Sequence, residues 1–349
     1  MSGPAQRLVF VDLLKAGAVQ LVVLHHLALY GPLSDSAAEL LPELMAWLSQ
    51  QARIAVQVFL VVGGFLAARG LAPDGVWKPG RRLQPLIAQR YLRLAGPYVI
   101  ALMLAVAGSA LASQWMEHDS IPAPPGPGQF LAHVLLLHDL LGFEALSAGV
   151  WYVAIDFQLY SLLVLLLWLG QTGRWRGPIL VTALVLASLF HFNRDADWDV
   201  LALYFFGSYG LGALAWWCTR QAGNRWLGVL TLALACLALA LDFRSRIAVA
   251  LIVATSLAMV QFSGLQQRWA AHPLIAWLSR IAYGVFLVHF PVCLVVNAAF
   301  TRFVPLTPER ALLGMALAWA FSLLAGALFH DRVEQGVGWR GFVRLDPAG

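Results

Sequence analysis

Residues 8–30 read LVFVDLLKAGAVQLVVLHHLALY, a 23-residue apolar run that nevertheless holds Asp12, Lys15, Gln20, His25 and His26. As a helix it would be about 34 Å long, enough to cross a hydrocarbon core of about 30 Å. A charged side chain at the bilayer centre costs at least about 2.5–3.5 kcal/mol, so the polar groups in this run demand partners and point to a use. The rest of the chain decides in favour of a membrane. Of 349 residues, 60% are hydrophobic and 12% are charged, where a soluble domain carries roughly 25% charged residues. Mean hydropathy is +0.73.

Working outward, further apolar runs lie near 53–70, 95–113, 149–170, 176–192, 199–219, 225–241, 245–262, 275–299 and 310–331. With the first they predict an all-α, polytopic protein of about ten transmembrane helices. Stretches 36–50 and 128–142 read as amphipathic and interfacial, and Pro122–Gly128 as a rigid non-helical connector. No tandem repeat and no soluble domain is expected, so 1–349 reads as a single transmembrane domain with its core at about 8–335. The N-terminal MSGPAQR does not read as a cleavable signal, because the apolar run after it is too long and carries charges.

The net charge of +5 is a topology signal rather than a nucleic-acid one, since the basic residues sit in short loops. With the N-terminus in the cytoplasm, the inner side takes Arg7, Arg69, Lys78, Arg81, Arg82, Arg90, Arg93, Arg174, Arg176, Arg220, Arg225, Arg268, Arg280, Arg332, Arg340 and Arg344. The outer side takes only Arg53, Arg194, Arg244, Arg246, Arg302 and Arg310, and most of the acids. An even number of spans then returns the C-terminus to the cytoplasm. Cys218, Cys236 and Cys293 lie in apolar runs without metal-ligand spacing, and argue against a disulfide framework. No metal is expected.

The ionisable residues within the spans are the candidates for chemistry. Asp12 and Lys15, three apart, share a helix face and can pair. Lys15 and His26 are eleven apart, which returns to the same face about 16 Å along the axis. His25 points about 100° away. Tyr152, Asp156 and Tyr160 make one polar stripe in the fourth span. His289 lies just before Pro291, which weakens the helix and frees carbonyls. Each has a bland reading: an interior hydrogen-bonded histidine for His26, a packing aspartate held by tyrosines for Asp156, a histidine on a freed carbonyl for His289. Under the topology above, His26, Asp156 and His289 fall in the outer half of the membrane at similar depths, and three spans contributing to one layer look like a site. On the inner side Arg90 and Arg93 share a face, with Arg81 and Arg82 upstream. They read either as positive-inside loop charges or as a phosphate clamp. Gly63-Gly64 permits close helix approach.

These residues resemble the acyltransferase 3 family of membrane acyltransferases. Lys15 and His26 are similar to its motif of a basic residue, ten residues and a histidine. Val58–Phe65 resembles its F-(x)n-SGF segment with Gly63 for Ser. Arg90 to Arg93 with Pro97-Tyr98 resembles its RxxR and Pro-Tyr stretch. Trp151–Tyr160 resembles W-x-L-x-x-E-x-x-F/Y with Asp156 as the acid, and Ile281–Pro291 resembles S-Y-x-x-Y-L-x-H-x-P with Ala282 and Phe286 for Ser and Tyr. The family often ends with an acid followed by Arg-Pro, and here Glu334-Gln-Gly lacks that proline.

The resemblance implies a multi-pass protein of the plasma (inner) membrane that moves an acyl group, most often acetyl, from cytosolic acyl-CoA to a hydroxyl of an envelope glycan or lipid-linked sugar. On that reading Arg90 and Arg93, with Arg81 or Arg82, hold CoA phosphates. His26 is the general base, Asp156 or His289 orients it or protonates a leaving group, and Lys15 holds Asp12 and reaches a donor phosphate or carbonyl. The partners are acyl-CoA, a carbohydrate acceptor and membrane lipids, and no nucleic acid. A second transfer step outside the membrane would need a separate extracytoplasmic partner. Two other classes fit the intramembrane polar groups: a proton-coupled transporter or flippase, against which stands the lack of an inverted repeat, and a haem or quinone protein ligated by His26 and His289.

Overall fold

The structure, a computed structural model, describes residues 8–220, 225–265, 269–270 and 272–335. It is 78% helical, and no strand occurs among the described residues. Arg7, Arg268, Arg340 and Arg344 lie outside the described residues.

The helices are α1 (Val9–Leu29), α2 (Pro32–Leu40), α3 (Pro42–Gln50), α4 (Val56–Leu71), α5 (Leu83–Ala112), α6 (Pro127–Val134), α7 (Val150–Leu169), α8 (Arg176–Phe190), α9 (Ala202–Arg220), α10 (Arg225–Leu241), α11 (Ser245–Phe262), α12 (Pro273–Phe303) and α13 (Pro308–Phe329). Each of the ten apolar runs is a helix. Eight of the described helical segments are long and apolar enough to cross a membrane. The run at 225–241 is a shorter apolar helix, and α9 is not among the eight. Two boundaries move. Helix α5 begins at Leu83 rather than near 95, because Arg90 and Arg93 continue the helix ahead of its apolar part. Helix α12 runs unbroken through Pro291 from Pro273 to Phe303.

The chain forms two compact units. One comprises Met1–Ala18, Val56–Ile87 and Gln158–Arg280, and the other Val19–Ala55, Ala88–Phe157 and Ile281–Gly349. In the first, α4 packs on α9 with the helices in main-chain contact. A Cβ on Gly64 would overlap the Tyr209 carbonyl, and one on Gly212 would overlap the Val61 carbonyl. Small residues at a helix crossing allow this approach in a bilayer, where dispersion and hydrogen bonds do the work that water exclusion does elsewhere. Beside the crossing Ser208 Oγ donates to Gln57 Oε1 at 2.6 Å. The carbonyls after α4 are satisfied by indoles: Trp217 Nε1 donates to Ala72 O at 2.7 Å and Trp216 Nε1 to Pro73 O at 3.0 Å. This meets the need of a helix end for outside partners.

In the second unit, glycines again set the spacing. Gly284 faces the Gly326 carbonyl, so α12 and α13 lie close, and Gly108 of α5 abuts Pro291. The stretch at 128–142 is helical only to Val134, and Leu136 takes a positive φ of 60°. Side chains tie it to its surroundings. Tyr91 Oη donates to Val134 O at 2.9 Å, and Leu146 N donates to His133 Nε2 at 3.2 Å. His133 and His138 are fully buried and stacked, with ring centroids 4.1 Å apart. Burial, above all, holds both imidazoles down at about 4, and for His133 the hydrogen bond to the Gln129 carbonyl, with a smaller contribution from Asp139, offsets this only in part.

The sign of the resulting pH effect is definite. Above about 6.5 both rings are neutral folded or unfolded. As pH falls from there toward about 4, the unfolded chain binds protons that the folded one refuses, so stability drops through that window. Amides around Leu146 are expected to exchange faster with deuterium at pH 4.5 than at pH 7, after correction for intrinsic rates. His133→Phe is expected to flatten that dependence.

Candidate active site

The polar residues of the second unit lie in two layers. The first is a histidine pair. His26 Nδ1 and His289 Nε2 are 2.8 Å apart. The rings are near-parallel, at 15°. Both side chains are buried, His289 to 1% exposure. The other nitrogen of His289, Nδ1, faces two carbonyl oxygens of its own helix, Phe286 at 2.8 Å and Val285 at 3.1 Å. Carbonyls only accept, so Nδ1 of His289 carries the proton. In the neutral ring Nε2 is then an acceptor. The short contact therefore needs a proton on His26 Nδ1, which leaves the His26 Nε2 lone pair as the basic position of the pair. The His25 ring, its centroid 4.9 Å from that of His26, bonds instead to the Leu48 carbonyl at 2.9 Å. An apolar cluster of Ala112, Met116, Phe290, Leu294 and Ala298, flanked by Tyr30 and Trp115, packs along α12 after His289. It keeps water from that side.

The second layer is charged. Arg90 Nη2 donates to Asp156 Oδ2 at 2.5 Å. Tyr283 Oη donates to the Leu94 carbonyl at 3.2 Å and lies within electrostatic reach of Asp156, Glu334, Arg90 and Arg93. In a π-helical turn at the end of α13, His330 Nδ1 donates to Glu334 Oε2 at 2.9 Å. Tyr283 lies six residues before His289, about 9 Å along α12.

The sequence-predicted residues are therefore brought together in part. His26 and His289 meet. Asp156 does not join them, because a carboxylate removed from water needs a cation, and Arg90 supplies it. That contact also corrects the assignment of Asp156 and Arg90 to separate depths. Arg93 is exposed on α5. Lys15 and Asp12 belong to the first unit, where Ser279 Oγ donates to Asp12 Oδ1 at 2.6 Å. So do Arg81, which donates to Leu71 O at 2.8 Å, and exposed Arg82. Tyr283 and His330 were not singled out in the sequence, and Glu334 entered it only as a departure from the family's ending. The four-residue spacing of His330 and Glu334 was a legible sign of one helix face.

Haem ligation does not fit the histidine pair. A metal between two imidazoles would hold the nitrogens about 4 Å apart, twice a metal–nitrogen bond, with no hydrogen bond between them. Among the described residues there is no group of three or more His, Cys, Asp or Glu side chains arranged for a metal ion.

The model of an acyltransferase domain, that of acyltransferase 3, matches residues 8–329, nearly the whole chain. The chain belongs to the acyltransferase 3 family. As an acyltransferase 3 protein with apolar helices of spanning length, it is a multi-pass membrane acyltransferase. Both layers, except Glu334 and His330, fall inside the matched residues. No curated protein and no solved structure matches it.

Proposed function

We propose that this acyltransferase moves an acetyl group from cytosolic acetyl-CoA to a hydroxyl of an envelope glycan or lipid-linked sugar at the inner membrane, with His26 as general base and His289 as its positioning residue. The observation that carries the proposal is the hydrogen bond from His26 to His289, with His289 Nδ1 held on two carbonyls. It leaves one basic nitrogen, His26 Nε2, in a dry environment. General bases act best with a pKa near the working pH, and imidazole is the side chain suited to that.

In the proposed reaction Nε2 takes the proton of the acceptor hydroxyl as its oxygen attacks the thioester carbonyl. The new C–O bond forms and the C–S bond breaks. The departing thiolate takes the proton back from Nε2, so the products are an O-acetyl ester and CoA thiol. Through this cycle His289 Nε2 accepts from His26 Nδ1–H, which orients the ring and disperses the charge of the transient imidazolium.

Arg93, Arg81 and Arg82 remain the proposed contacts for CoA phosphates. Arg90, occupied by Asp156, is proposed to act through that carboxylate. Lys15 is proposed to serve the donor from α1. Both termini are proposed to lie in the cytoplasm, a reading supported by the Lys/Arg asymmetry.

The test is transfer of label. Sealed inverted membrane vesicles containing the protein, given acetyl-labelled CoA from outside, are expected to accumulate hydroxylamine-labile label in lipid-linked or polymeric glycan. Label confined to free acetate, or transferred only from a donor other than a CoA thioester, would remove the proposal.

A further inference from the structure

Helices α9, α10 and α11 enclose a groove that the chemistry above does not use. Its volume is about 540 Å³, and its walls are almost wholly apolar, with Leu214 and Ala215 on α9, Leu232 on α10, and Ala254 and Ala258 on α11. Small residues make the space. Helix α10 buries only a narrow stripe, Leu227, Thr231, Ala235 and Ala238, and touches α9 closely where Gly228 meets Cys218. The groove lies at one end of the α10–α11 hairpin. Its lining on α11 runs from Leu251 to Phe262, a rise of roughly 16 Å. Half of a hydrocarbon core of about 30 Å is about 15 Å, so the groove is as deep as one leaflet.

Charge marks its mouth. Arg225 lines the groove where α10 begins and α11 ends, with its guanidinium over the Phe262 ring at 5.2 Å. Arg220 ends α9 nearby in sequence and lies over Trp216 at 5.6 Å. The only acid in residues 202–263 is Asp242, in the turn at the opposite end of the hairpin. Large apolar side chains stand exposed on the rim, Val229 at 66%, Met259 at 69% and Phe262 at 67%. A cation at headgroup level above a slot one leaflet deep matches an anionic glycerophospholipid, with one acyl chain in the groove and its phosphate on the planar fork of Arg225.

We infer that the α9–α10–α11 groove is a binding site for an anionic phospholipid, with Arg225 as its headgroup contact. Binding here couples the protein to the composition of one leaflet, independently of acyl transfer.

The experiment uses the full chain in mild detergent, titrated with phosphatidylglycerol or phosphatidylcholine of matched chains and read by native mass spectrometry. One phosphatidylglycerol is expected to be retained about tenfold more tightly than phosphatidylcholine, the effect of a single charge-assisted contact. Arg225→Gln, an exposed substitution that spares the fold, is expected to bring the two lipids to near equality. Ala258→Leu, which fills the slot, is expected to lower retention of both. Equal retention of the two lipids by the unaltered chain, or an undiminished preference in Arg225→Gln, would overturn the inference. So would displacement of the lipid by excess glycerol phosphate, which would mean that phosphate alone is bound.

Discussion

His26→Ala is expected to lower acyl transfer by about 10²–10⁴-fold, the range over which a positioned general base contributes. The substitution also strands His289 Nε2 in a buried place, at about 1–3 kcal/mol for the lost partner. Melting in detergent must therefore be followed beside activity. His26→Gln keeps a polar group toward His289 and is expected to retain the fold while remaining inactive. His289→Ala separates the two roles. Without its acceptor the His26 ring loses its fixed tautomer, so kcat is expected to fall while KM for acetyl-CoA stays put, the mark of an interaction that matters in the transition state. A His26→Ala protein that still transferred acetyl groups at the normal rate would end the proposal for the histidine pair.

Asp156→Ala is the second large effect, and its first readout is stability. Removing one partner of a buried ion pair costs about 3–5 kcal/mol, because the other charge is left without compensation. Here the Arg90 side chain keeps 24% of its exposure and Asp156 9%, so about 2–4 kcal/mol is expected at partial burial. At about 2–4 °C per kcal/mol for a large domain, the melting temperature should fall by roughly 4–16 °C. The Arg90→Met/Asp156→Leu double variant is expected to recover most of the loss, since matched apolar residues often replace a buried pair without cost. It also divides two readings of Asp156. A refolded but inactive double variant would place the pair in the chemistry, whereas an active one would make it a brace between α5 and α7. Equal stability of the single and double variants would dismiss the pair as a stabilising contact.

Much of this protein was legible in its sequence, because a bilayer demands long apolar runs with every backbone group paired within the helix. All ten runs became helices. What escaped was governed by contacts between distant residues. Arg90 looked like a loop cation because it precedes the apolar part of α5. Its partner Asp156 is 66 positions away, with nothing local to announce the bond. The cost of an unpaired carboxylate in a span required a cation, but not which one. The amphipathic stretch at 128–142 is helical only to Val134, whose carbonyl accepts from Tyr91 on another helix. The histidine pair was half legible. Spacing put His26 on the Lys15 face and left His289 able to bond carbonyls in its own helix. Their meeting across 263 positions needed the fold.

The reciprocal glycine contact between α4 and α9 has a consequence for how this sequence can drift. At an ordinary crossing a larger side chain can be accommodated by a smaller one opposite, so substitutions travel in compensated pairs. Here what stands opposite Gly64 is the carbonyl of Tyr209, and opposite Gly212 the carbonyl of Val61. A carbonyl is the same whichever side chain its residue bears. No exchange of side chain at 61 or 209 can make room, so neither glycine has a compensating partner on the facing helix.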